Sequence, residues 1–442
     1  MALIGNRTYV GFGFGAIQAG LFLYEAFQAD AFCRLVVAEV VPDVVTAVRR
    51  ANGHFSLNVA HADRIEHSRI GPIEIDNPAL APDRRRLVQA VAEADEIGTA
   101  IPSVTYYVSE GPDSLHRILA AGLRKKIVCN GPQAVIYTAE NHNHAAEILE
   151  AKVMAEIPKN EQPTVRARVR FLNTVIGKMS GVIANPDTIQ NQGLIPITPD
   201  TPRAFLVESF NRILISKIQF NEVETSSFQR GIGVFEEKEN LLPFEEAKLY
   251  GHNATHSLAA YIGAVKSMQR IADLPAVPGV LPFLRTAFIE ESGQALIRKY
   301  EGIDPLFTPQ GYAQYAGDLL NRMTNPYLLD TIERVGRDPE RKLGWDDRLI
   351  GTIRVALSQG VKPRRYALGA AAALATISQG SLTADHSPLA SDVSAEAWLS
   401  SLWRQATPTQ QEQDAVLSLI EDGQQQLKRW QASGFQDLEK QF

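Results

Sequence analysis

Short apolar segments alternate with longer amphipathic segments through the first half of the chain. The short segments have the length and apolar character of strands, and the longer ones carry apolar residues at helical spacing. The predicted order is strand Arg7–Gly13, helix Ala16–Phe27, strand Arg34–Val40, helix Val44–Ala51, strand Glu96–Ile101, helix Asp113–Lys125 and strand Ala134–Ala139. Strands joined by helices in this way indicate an α/β fold with a parallel sheet covered by helices.

The second half of the chain has the pattern of a mainly α-helical domain. Residues 219–240 are polar and irregular, as expected of a linker or crossover, so we predict domains at 1–218 and 219–442. Residues 378–394 are predicted as a surface loop, and 385–442 as a glutamine-rich helical extension with no obvious chemical role. The predicted helices before this extension are Ala247–Arg270, Leu284–Lys299, Gln310–Arg322, Leu328–Arg334, Asp347–Gln359 and Tyr366–Ile377.

Length and composition narrow the class of protein. A chain of 442 residues is too long for a single core, which agrees with two domains. The formal charge of −6 argues against a nucleic-acid partner, and two cysteines cannot build a disulfide framework. There is no secretory signal and no apolar run long enough to span a bilayer, so we predict a cytoplasmic protein with a small-molecule substrate and no membrane partner. The sequence gives no indication of oligomeric state.

A glycine-rich loop follows the first strand. Gly13-Phe-Gly15-Ala16-Ile17-Gln18 fits the dinucleotide-binding fingerprint at two of its three glycines, with Gln18 at the third. Gly13 would permit the tight turn, and Gly15 would let the backbone approach a pyrophosphate. Ala16 and Ile17 open the helix whose N-terminus would bind that pyrophosphate. The loop therefore predicts a Rossmann-type dinucleotide-binding domain.

Glu39 stands at the end of the second strand, about twenty residues after the glycine loop. A carboxylate at that place accepts hydrogen bonds from ribose hydroxyls and repels a 2′-phosphate, which favours NAD over NADP. A solvated strand end is the alternative for Glu39. We assign Thr99 and Ala100, which end a later strand, to the same cofactor site.

The beginning of the second domain carries three polar residues within nine positions, Lys248, Asn253 and His256. At about 100° per residue of an α-helix, Asn253 would lie about 140° and His256 about 80° around the axis from Lys248. An amine, an amide and an imidazole over this arc suit a site where a carbonyl oxygen needs a proton donor and a second hydrogen-bond donor. The alternative is a polar helix start with a lysine on the surface.

Other polar clusters give weaker indications. His142 and His144 are two residues apart and lack an evident third ligand, so we predict no metal site. His252 could line the cleft, although a position on the surface of its helix is favoured. Four basic residues could meet a substrate phosphate, or could pair with the aspartates interleaved among them. These residues are Arg337, Arg341, Lys342 and Arg348.

The spacing Lys248-x4-Asn253-x2-His256 resembles the signature of the polyol-specific long-chain dehydrogenases/reductases, the mannitol dehydrogenase family. Thr138-Ala-Glu-Asn141 and Phe171-Leu-Asn-Thr-Val resemble two further segments of that family. The stretches from Arg337 and from Ala367 look most like the mannitol-1-phosphate 5-dehydrogenase branch. The resemblance spans roughly residues 8 to 380, with its landmarks in the family's order.

The resemblance implies metal-independent hydride transfer between a nicotinamide and a secondary alcohol, in a cleft between the two domains. Lys248 would be the general base in alcohol oxidation and the acid in ketone reduction. Asn253 and Asn141, one from each domain, would hold the developing alkoxide, and His256 would orient the substrate or the lysine. Glu245 would relay the proton to solvent, unless it is only a helix-start carboxylate.

Several positions depart from the family pattern and leave the substrate open. Gln18 replaces a glycine, Gly177-Lys178 stands where an Asp-Arg pair is expected, and no tryptophan follows Glu208-Ser-Phe. The first hypothesis is interconversion of mannitol 1-phosphate and fructose 6-phosphate. The second is the same chemistry on an unphosphorylated polyol or a sugar acid. The third is a nucleotide-binding protein with weakened catalysis.

Overall fold

The computed structural model describes residues 5–220, 228–379 and 394–442. The chain forms two compact units, Met1–Leu242 and Pro243–Phe442. This division falls later than the predicted boundary at 218, because the strand Phe235–Lys238 pairs in parallel with Ile213–Ser216 of the first unit. Residues 380–393 of the predicted surface loop lie outside the described part of the chain.

The first unit contains an eight-stranded sheet and a four-stranded sheet. The larger sheet has the order β12-β11-β8-β7-β6-β1-β2-β5, and the smaller one the order β4-β3-β10-β9. From β8 to β5 every neighbouring pair is parallel, which confirms the α/β prediction. The strands are β1 Arg7–Phe12, β2 Phe32–Ala38, β3 Phe55–Ala60, β4 Ile65–Ile70, β5 Glu74–Asp76, β6 Glu96–Thr99, β7 Ala134–Thr138, β8 Val169–Ile176, β9 Ser180–Ile183, β10 Ala204–Glu208, β11 Ile213–Ser216 and β12 Phe235–Lys238.

Helices connect these strands, and each predicted helix of this half is present. The first begins after the glycine loop with a π-helical segment, Gln18–Leu23, and continues as an α-helix. A short 3₁₀ helix, Val104–Tyr107, follows β6. The α-helices are α1 Tyr24–Gln28, α2 Pro42–Arg50, α3 Ala81–Glu93, α4 Leu115–Val128, α5 Ala145–Ala155, α6 Gln162–Arg168 and α7 Pro186–Asn191.

Alternation along the strands builds a separate core on each face of the large sheet. Successive side chains of a strand point to opposite faces, so consecutive apolar residues are buried in different places. Tyr9 and Val37 belong to the core on one face, whereas Val10 and Val36 belong to the core on the other. Both faces are therefore covered, and the carboxyl edge of the parallel strands is left to the connecting loops.

The second unit is mainly helical, as predicted. Its described helices include two π-helical segments, Ala247–Asn253 and Ala287–Gly293. Among the described residues, no helix combines the length and the apolar character needed to cross a bilayer. The α-helices are α8 Leu242–Glu246, α9 Ala254–Val265, α10 Val280–Thr286, α11 Gln294–Lys299, α12 Pro309–Met323, α13 Ile332–Gly336, α14 Pro339–Lys342, α15 Arg348–Ser358, α16 Arg364–Gln379, α17 Ala395–Leu402 and α18 Gln410–Ala432. Short 3₁₀ helices are Ile271–Ala276, Pro305–Phe307, Pro326–Leu328, Arg404–Ala406 and Glu439–Gln441.

The C-terminal segment packs into the core of the second unit. A Cβ atom on Gly423 of α18 would lie 2.6 Å from the carbonyl oxygen of Ala367 in α16, so these two helices cross in close backbone contact. Trp403 and Trp430 are buried, and the indole N–H of Trp403 donates to the carbonyl of Leu343 at 2.7 Å. The residues from 394 onward thus stabilise the helices that precede them.

We expect Gly423→Ala to destabilise the second unit, because the added methyl group meets backbone that cannot rotate away. Overpacking of this kind costs about 1–3 kcal/mol. All four tryptophans lie in the second unit, so their fluorescence during urea denaturation measures its free energy of unfolding. Gly317→Ala in α12 is the matched control, since its Cβ would meet only the end of Arg285 at 3.7 Å. Equal stability of both variants would contradict the close crossing.

Candidate active site

The glycine loop connects the carboxyl end of β1 to the first helix. Gly13 has a φ of +85°, and a Cβ there would lie 2.7 Å from the carbonyl oxygen of Ala100. Packing within the protein therefore requires a glycine at this position. A Cβ on Gly15 would meet no atom within 4 Å. The open space at Gly15 lies where the helix begins, at Ala16 and Ile17, and this is where a pyrophosphate would approach the helix N-terminus.

Gln18, at the third glycine position of the fingerprint, occupies space left by a different glycine. A Cβ on Gly11 of β1 would lie 2.1 Å from the side-chain nitrogen of Gln18. That nitrogen donates a hydrogen bond of 2.7 Å to the hydroxyl of buried Tyr9. A buried hydrogen bond of this type contributes about 1 kcal/mol. The pair Gly11 and Gln18 thus preserves the close contact of helix and strand that the fingerprint normally achieves with a glycine on the helix.

Glu39 joins the glycine loop to the end of β2. Its carboxylate accepts hydrogen bonds of 2.8 Å from the backbone N–H of Phe14 and from that of Val41. Glu39 is buried, which corrects the alternative of a solvated strand end. An ionised carboxylate has about four acceptor positions, so two protein donors leave room for ribose hydroxyls. Its assignment to the cofactor stays a prediction.

Glu140 organises the neighbouring loop and was not among the predicted site residues. Its carboxylate accepts hydrogen bonds from the Thr99 hydroxyl at 2.9 Å, from the Ile101 N–H at 3.0 Å and from the Tyr107 hydroxyl. Burial raises the pKa of Glu140. Thr99 is therefore bound to Glu140 through its side chain. Glu140 lies in the segment Thr138–Asn141, which carries part of the family resemblance, but only the fold brings its three partners together.

Asn141 lies next to Glu140, on the loop that follows β7 in the first unit. Its side chain is exposed, whereas Glu140 is buried. The backbone of this loop is held by a hydrogen bond of 2.9 Å from Ala139 to Thr99. The role of Asn141 as an alkoxide donor remains a prediction.

Lys248 and Asn253 lie on the π-helical segment Ala247–Asn253, which corrects the angles expected for an α-helix. The N–H of Ala254 bonds to the carbonyl of Leu249, five residues earlier. In such a turn, residues five positions apart stack on nearly the same face. Lys248 and Asn253 are therefore closer in angle than the 140° calculated for a regular helix. Both side chains are partly buried.

Glycines let bulky side chains pack tightly around this segment. A Cβ on Gly251 would lie 2.6 Å from the ring of Phe288 and 2.8 Å from the hydroxyl of Tyr312. A Cβ on Gly351 of α15 would lie 2.5 Å from the ring of Tyr250. Aromatic rings thus pack closely against the buried side of the π-helical segment, while Lys248 and Asn253 remain partly exposed.

The environment of Lys248 changes the pKa of its amine. Burial lowers the pKa of Lys248 to about 8, and the positive charge of Arg348 acts in the same direction. The carboxylate of Glu245 opposes this effect. A lysine with this pKa exchanges its proton near neutral pH, as a general acid and base must.

His252 and His256 lie beside each other near Lys248. His252 is buried rather than on the helix surface, which corrects the prediction for this residue. The ring centroids of the two histidines are 6.4 Å apart. Burial, together with neighbouring positive charges, holds the pKa of His252 well below its ordinary value. His252 is therefore neutral, and His256 is the more accessible of the two rings.

Asp330 faces His256 and was not predicted. Its Oδ2 lies 3.1 Å from the Nε2 of His256, and its Oδ1 accepts a hydrogen bond of 2.8 Å from the Nε of Arg334. Asp330 is buried at 3% exposure. It precedes the short helix α13, far from His256 in the sequence, so no local pattern could have linked the two residues.

The basic cluster separates into exposed and buried members. The side chains of Arg337 and Arg341 are 73% and 52% exposed, and both lie near Asp338. Arg348 is 11% exposed, with Asp347 at 3.9 Å, and Lys342 is buried. Burial lowers the pKa of Lys342 to about 7, with the charge of Arg348 next in effect. Ion pairing with Asp338 accounts for the exposed arginines, whereas Lys342 and Arg348 are largely withdrawn from solvent.

The cysteines and the pair of His142 and His144 are further candidates for metal ligands. Cys33 and Cys129 are both exposed and unpaired with each other. His142 and His144 have ring centroids 6.2 Å apart on a loop. Within the ranges that the structure describes, no group of three or more potential ligands is placed to hold a metal ion.

Comparison with known families gives two adjoining matches. Residues 7–226 match the mannitol dehydrogenase Rossmann domain, and residues 240–429 match the mannitol dehydrogenase C-terminal domain. Together the two matches cover most of both compact units. The second match extends into α18, so it includes most of the C-terminal segment.

Individual relatives agree with these matches. Mannitol-1-phosphate 5-dehydrogenase of Bacillus licheniformis is 28% identical over 367 residues, which is 82% of this chain and 86% of that protein. The structure of Pseudomonas fluorescens mannitol 2-dehydrogenase in a ternary complex with NAD and D-mannitol aligns with a TM-score of 0.69 at 14% identity, over 100% of this chain and 95% of that chain. A substrate-free D-sorbitol dehydrogenase aligns with a TM-score of 0.74 at 13% identity, over 98% and 95%. The two structures share the fold of this chain.

The contact between Gly11 and Gln18 can be tested by a double-mutant cycle. We expect Gly11→Ala to cost about 1–3 kcal/mol in the native background, because the methyl group displaces Gln18 from Tyr9. In a Gln18→Gly background the same change should cost much less. Urea denaturation followed by far-ultraviolet circular dichroism gives the free energies. Gly181→Ala is the control, since its Cβ would meet no atom within 4 Å. Equal costs in both backgrounds would show that the two residues are not coupled.

Proposed function

The chain belongs to the mannitol dehydrogenase family, and we propose that it is an oxidoreductase that interconverts mannitol 1-phosphate and fructose 6-phosphate with NAD as cofactor. Lys248 is the general acid and base of this reaction. The observation that carries the proposal is the lowered pKa of Lys248 on a π-helical segment shared with Asn253. The first unit supplies the cofactor site, and the second supplies the proton.

NAD, when bound, accepts a hydride from the alcohol carbon or returns it to the ketone. Gly13 makes the turn, Gly15 would admit the pyrophosphate to the N-terminus of the first helix, and Glu39 would accept hydrogen bonds from the ribose. Each of these roles agrees with the open space at Gly15 and with the remaining acceptor positions of Glu39.

Lys248 removes the hydroxyl proton in oxidation, when its amine is neutral, and protonates the alkoxide in reduction. Asn253 and Asn141 donate hydrogen bonds to the oxygen that becomes negative, which lowers the energy of the transition state. His256 binds a neighbouring hydroxyl of the substrate. Glu245 carries the proton between Lys248 and solvent, because it lies one helical turn before the lysine and acts on its charge.

Lys342 and Arg348 are the proposed ligands of the substrate phosphate. Both are basic side chains largely withdrawn from solvent, and burial lowers the pKa of each. A phosphate bound between them would stabilise their protonated forms by charge-assisted hydrogen bonds. Arg337 and Arg341 are not assigned this role, since both are exposed and lie beside Asp338. The relative from Bacillus licheniformis, whose substrate is also phosphorylated, supports the assignment.

The substrate class is tested by following oxidation of NADH and NADPH with one ketose at a time. Fructose 6-phosphate, fructose, fructuronate and tagaturonate are the four substrates. Turnover with fructose 6-phosphate and NADH alone is the expected result. Turnover of a free sugar or a sugar acid would instead support an unphosphorylated substrate. Binding of NADH without turnover of any ketose would indicate a nucleotide-binding protein.

The pH dependence follows from the lowered pKa of Lys248. We expect the rate of oxidation to rise with pH to a plateau above about 8, and the rate of reduction to fall through the same range, since only the protonated amine donates. Glu245→Gln removes a negative charge that raises this pKa, so both profiles should move to lower pH by roughly one unit.

Glu246→Gln is the matched control for Glu245→Gln. It makes the same change one residue further, at a carboxylate bound to Lys299 at 2.7 Å. The midpoint of its profile should match that of the native protein. A midpoint that does not move in Glu245→Gln, or that moves equally in both variants, would contradict the pairing of Glu245 with Lys248.

Replacement of Lys342 should separate phosphorylated from free substrates. Loss of a charge-assisted hydrogen bond costs about 1.5–3 kcal/mol, so Lys342→Met should raise KM for fructose 6-phosphate roughly 10- to 100-fold. In the native protein that KM should also rise as the pH passes above about 7, because Lys342 loses its charge. Arg337→Met, an exposed member of the same basic cluster, should leave KM unchanged. A Lys342→Met variant with native KM would exclude this lysine as a phosphate ligand.

A further inference from the structure

The second unit buries an aspartate between a histidine and an arginine. Asp330 Oδ2 lies 3.1 Å from His256 Nε2, and Asp330 Oδ1 accepts a hydrogen bond of 2.8 Å from Arg334 Nε. Both atoms are buried, and within the described ranges neither meets hydrogen-bond geometry with any partner, so the 3.1 Å contact between them is one of proximity and charge. The carboxylate therefore has one oxygen committed to the arginine and one oxygen available to the imidazole.

The backbone fixes Asp330 in this position. The N–H of Ile271 donates to the carbonyl of Asp330 at 3.0 Å, and Arg270 forms a β-bridge with Thr331. The Thr331 hydroxyl in turn accepts a hydrogen bond from the N–H of Arg334 at 3.1 Å. These contacts fix the backbone at Asp330, and the bond from Arg334 fixes its side chain. The aspartate therefore presents a negative charge at a fixed place beside the imidazole.

The charge of Asp330 determines which nitrogen of His256 carries the proton. Burial alone would raise the pKa of Asp330, but His256 and Arg334 outweigh it and hold the pKa below its ordinary value. Asp330 is therefore an anion, which accepts hydrogen bonds and donates none. A neutral imidazole beside it is most stable with its proton on Nε2, so that the other nitrogen is an acceptor.

We propose that Asp330 is a positioning residue that holds His256 in the tautomer protonated on Nε2, which leaves Nδ1 to accept a hydrogen bond from a substrate hydroxyl. The proposal rests on the proposed function for the identity of that hydroxyl. The choice of tautomer itself depends only on Asp330, His256 and Arg334.

Asp330→Asn tests this arrangement because Arg334 fixes the orientation of the new amide. Arg334 is only a donor, so the amide oxygen remains toward it and the amide –NH₂ turns toward His256. A donor now faces Nε2, and the imidazole must move its proton to Nδ1. The variant keeps the size of the side chain but reverses the tautomer. Its nearest control is Asp273→Asn, an exposed aspartate on the 3₁₀ helix Ile271–Ala276.

Nitrogen-15 NMR of the histidine rings measures the tautomer directly in the whole protein. The chain has nine histidines, and the His256→Gln variant identifies the signal that disappears. At a pH where the titration shows the ring to be neutral, we expect the native protein and Asp273→Asn to carry the proton on Nε2, and Asp330→Asn to carry it on Nδ1. A native ring protonated on Nδ1 would overturn the proposal, even if the Asn variant failed to fold.

Kinetics provide the second readout. Asp330→Asn should lower kcat/KM about 10- to 100-fold while NADH binding stays native, because the reversed tautomer presents a donor where the substrate hydroxyl needs an acceptor and leaves that polar contact unsatisfied. Asp330→Glu, which keeps the acceptor, should recover part of that loss. An Asn variant with a reversed tautomer and native kcat/KM would overturn the role in substrate binding. If the native protein turns over no ketose, the proposed function fails, whereas the NMR result still decides the tautomer.

Discussion

The proposed chemistry of the second unit depends on the partial burial of Lys248, which lowers the pKa of its amine. An exposed lysine stays protonated at neutral pH and cannot accept a proton. Here aromatic rings pack against glycines around a π-helical segment, and a buried arginine adds its positive charge. Glu245 limits this effect by stabilising the ammonium form. Burial and Arg348 lower the pKa of Lys248, Glu245 raises it, and the resulting pKa is about 8. An amine with this pKa could both accept and donate a proton in the proposed redox reaction.

Glycines allow close packing in both units, but at different kinds of position. In the glycine loop, Gly13 serves the turn, Gly15 leaves open space for a ligand, and Gly11 makes room for Gln18. The close packing that the third glycine of the fingerprint normally allows on the helix is therefore allowed here by Gly11 on the strand. In the second unit, Gly251 and Gly423 allow helices and rings to approach more closely than any larger residue would.

Much of this arrangement was predictable from sequence, because it depends on local periodicity and spacing. The alternation of strands and helices, the glycine loop and the Lys248 segment are all of this kind. Local patterns could not predict which side chains are buried or which residues far apart in the sequence come into contact. They could not distinguish Lys342 from Arg337, since the two differ in exposure and not in residue class. Nor could they connect Asp330 to His256, or Glu140 to Tyr107, because tertiary packing makes those pairs.

The π-helical segment at Lys248 has a consequence for how this sequence can diverge. A π turn contains one residue more than the α turn that it replaces, so the helix on either side of it is out of phase with a regular one. Deletion of a single residue between Lys248 and Asn253 would restore a regular helix, and it would remove the turn that brings these two residues toward the same face. The relative orientation of the amine and the amide thus depends on the number of residues between them as well as on which residues these are.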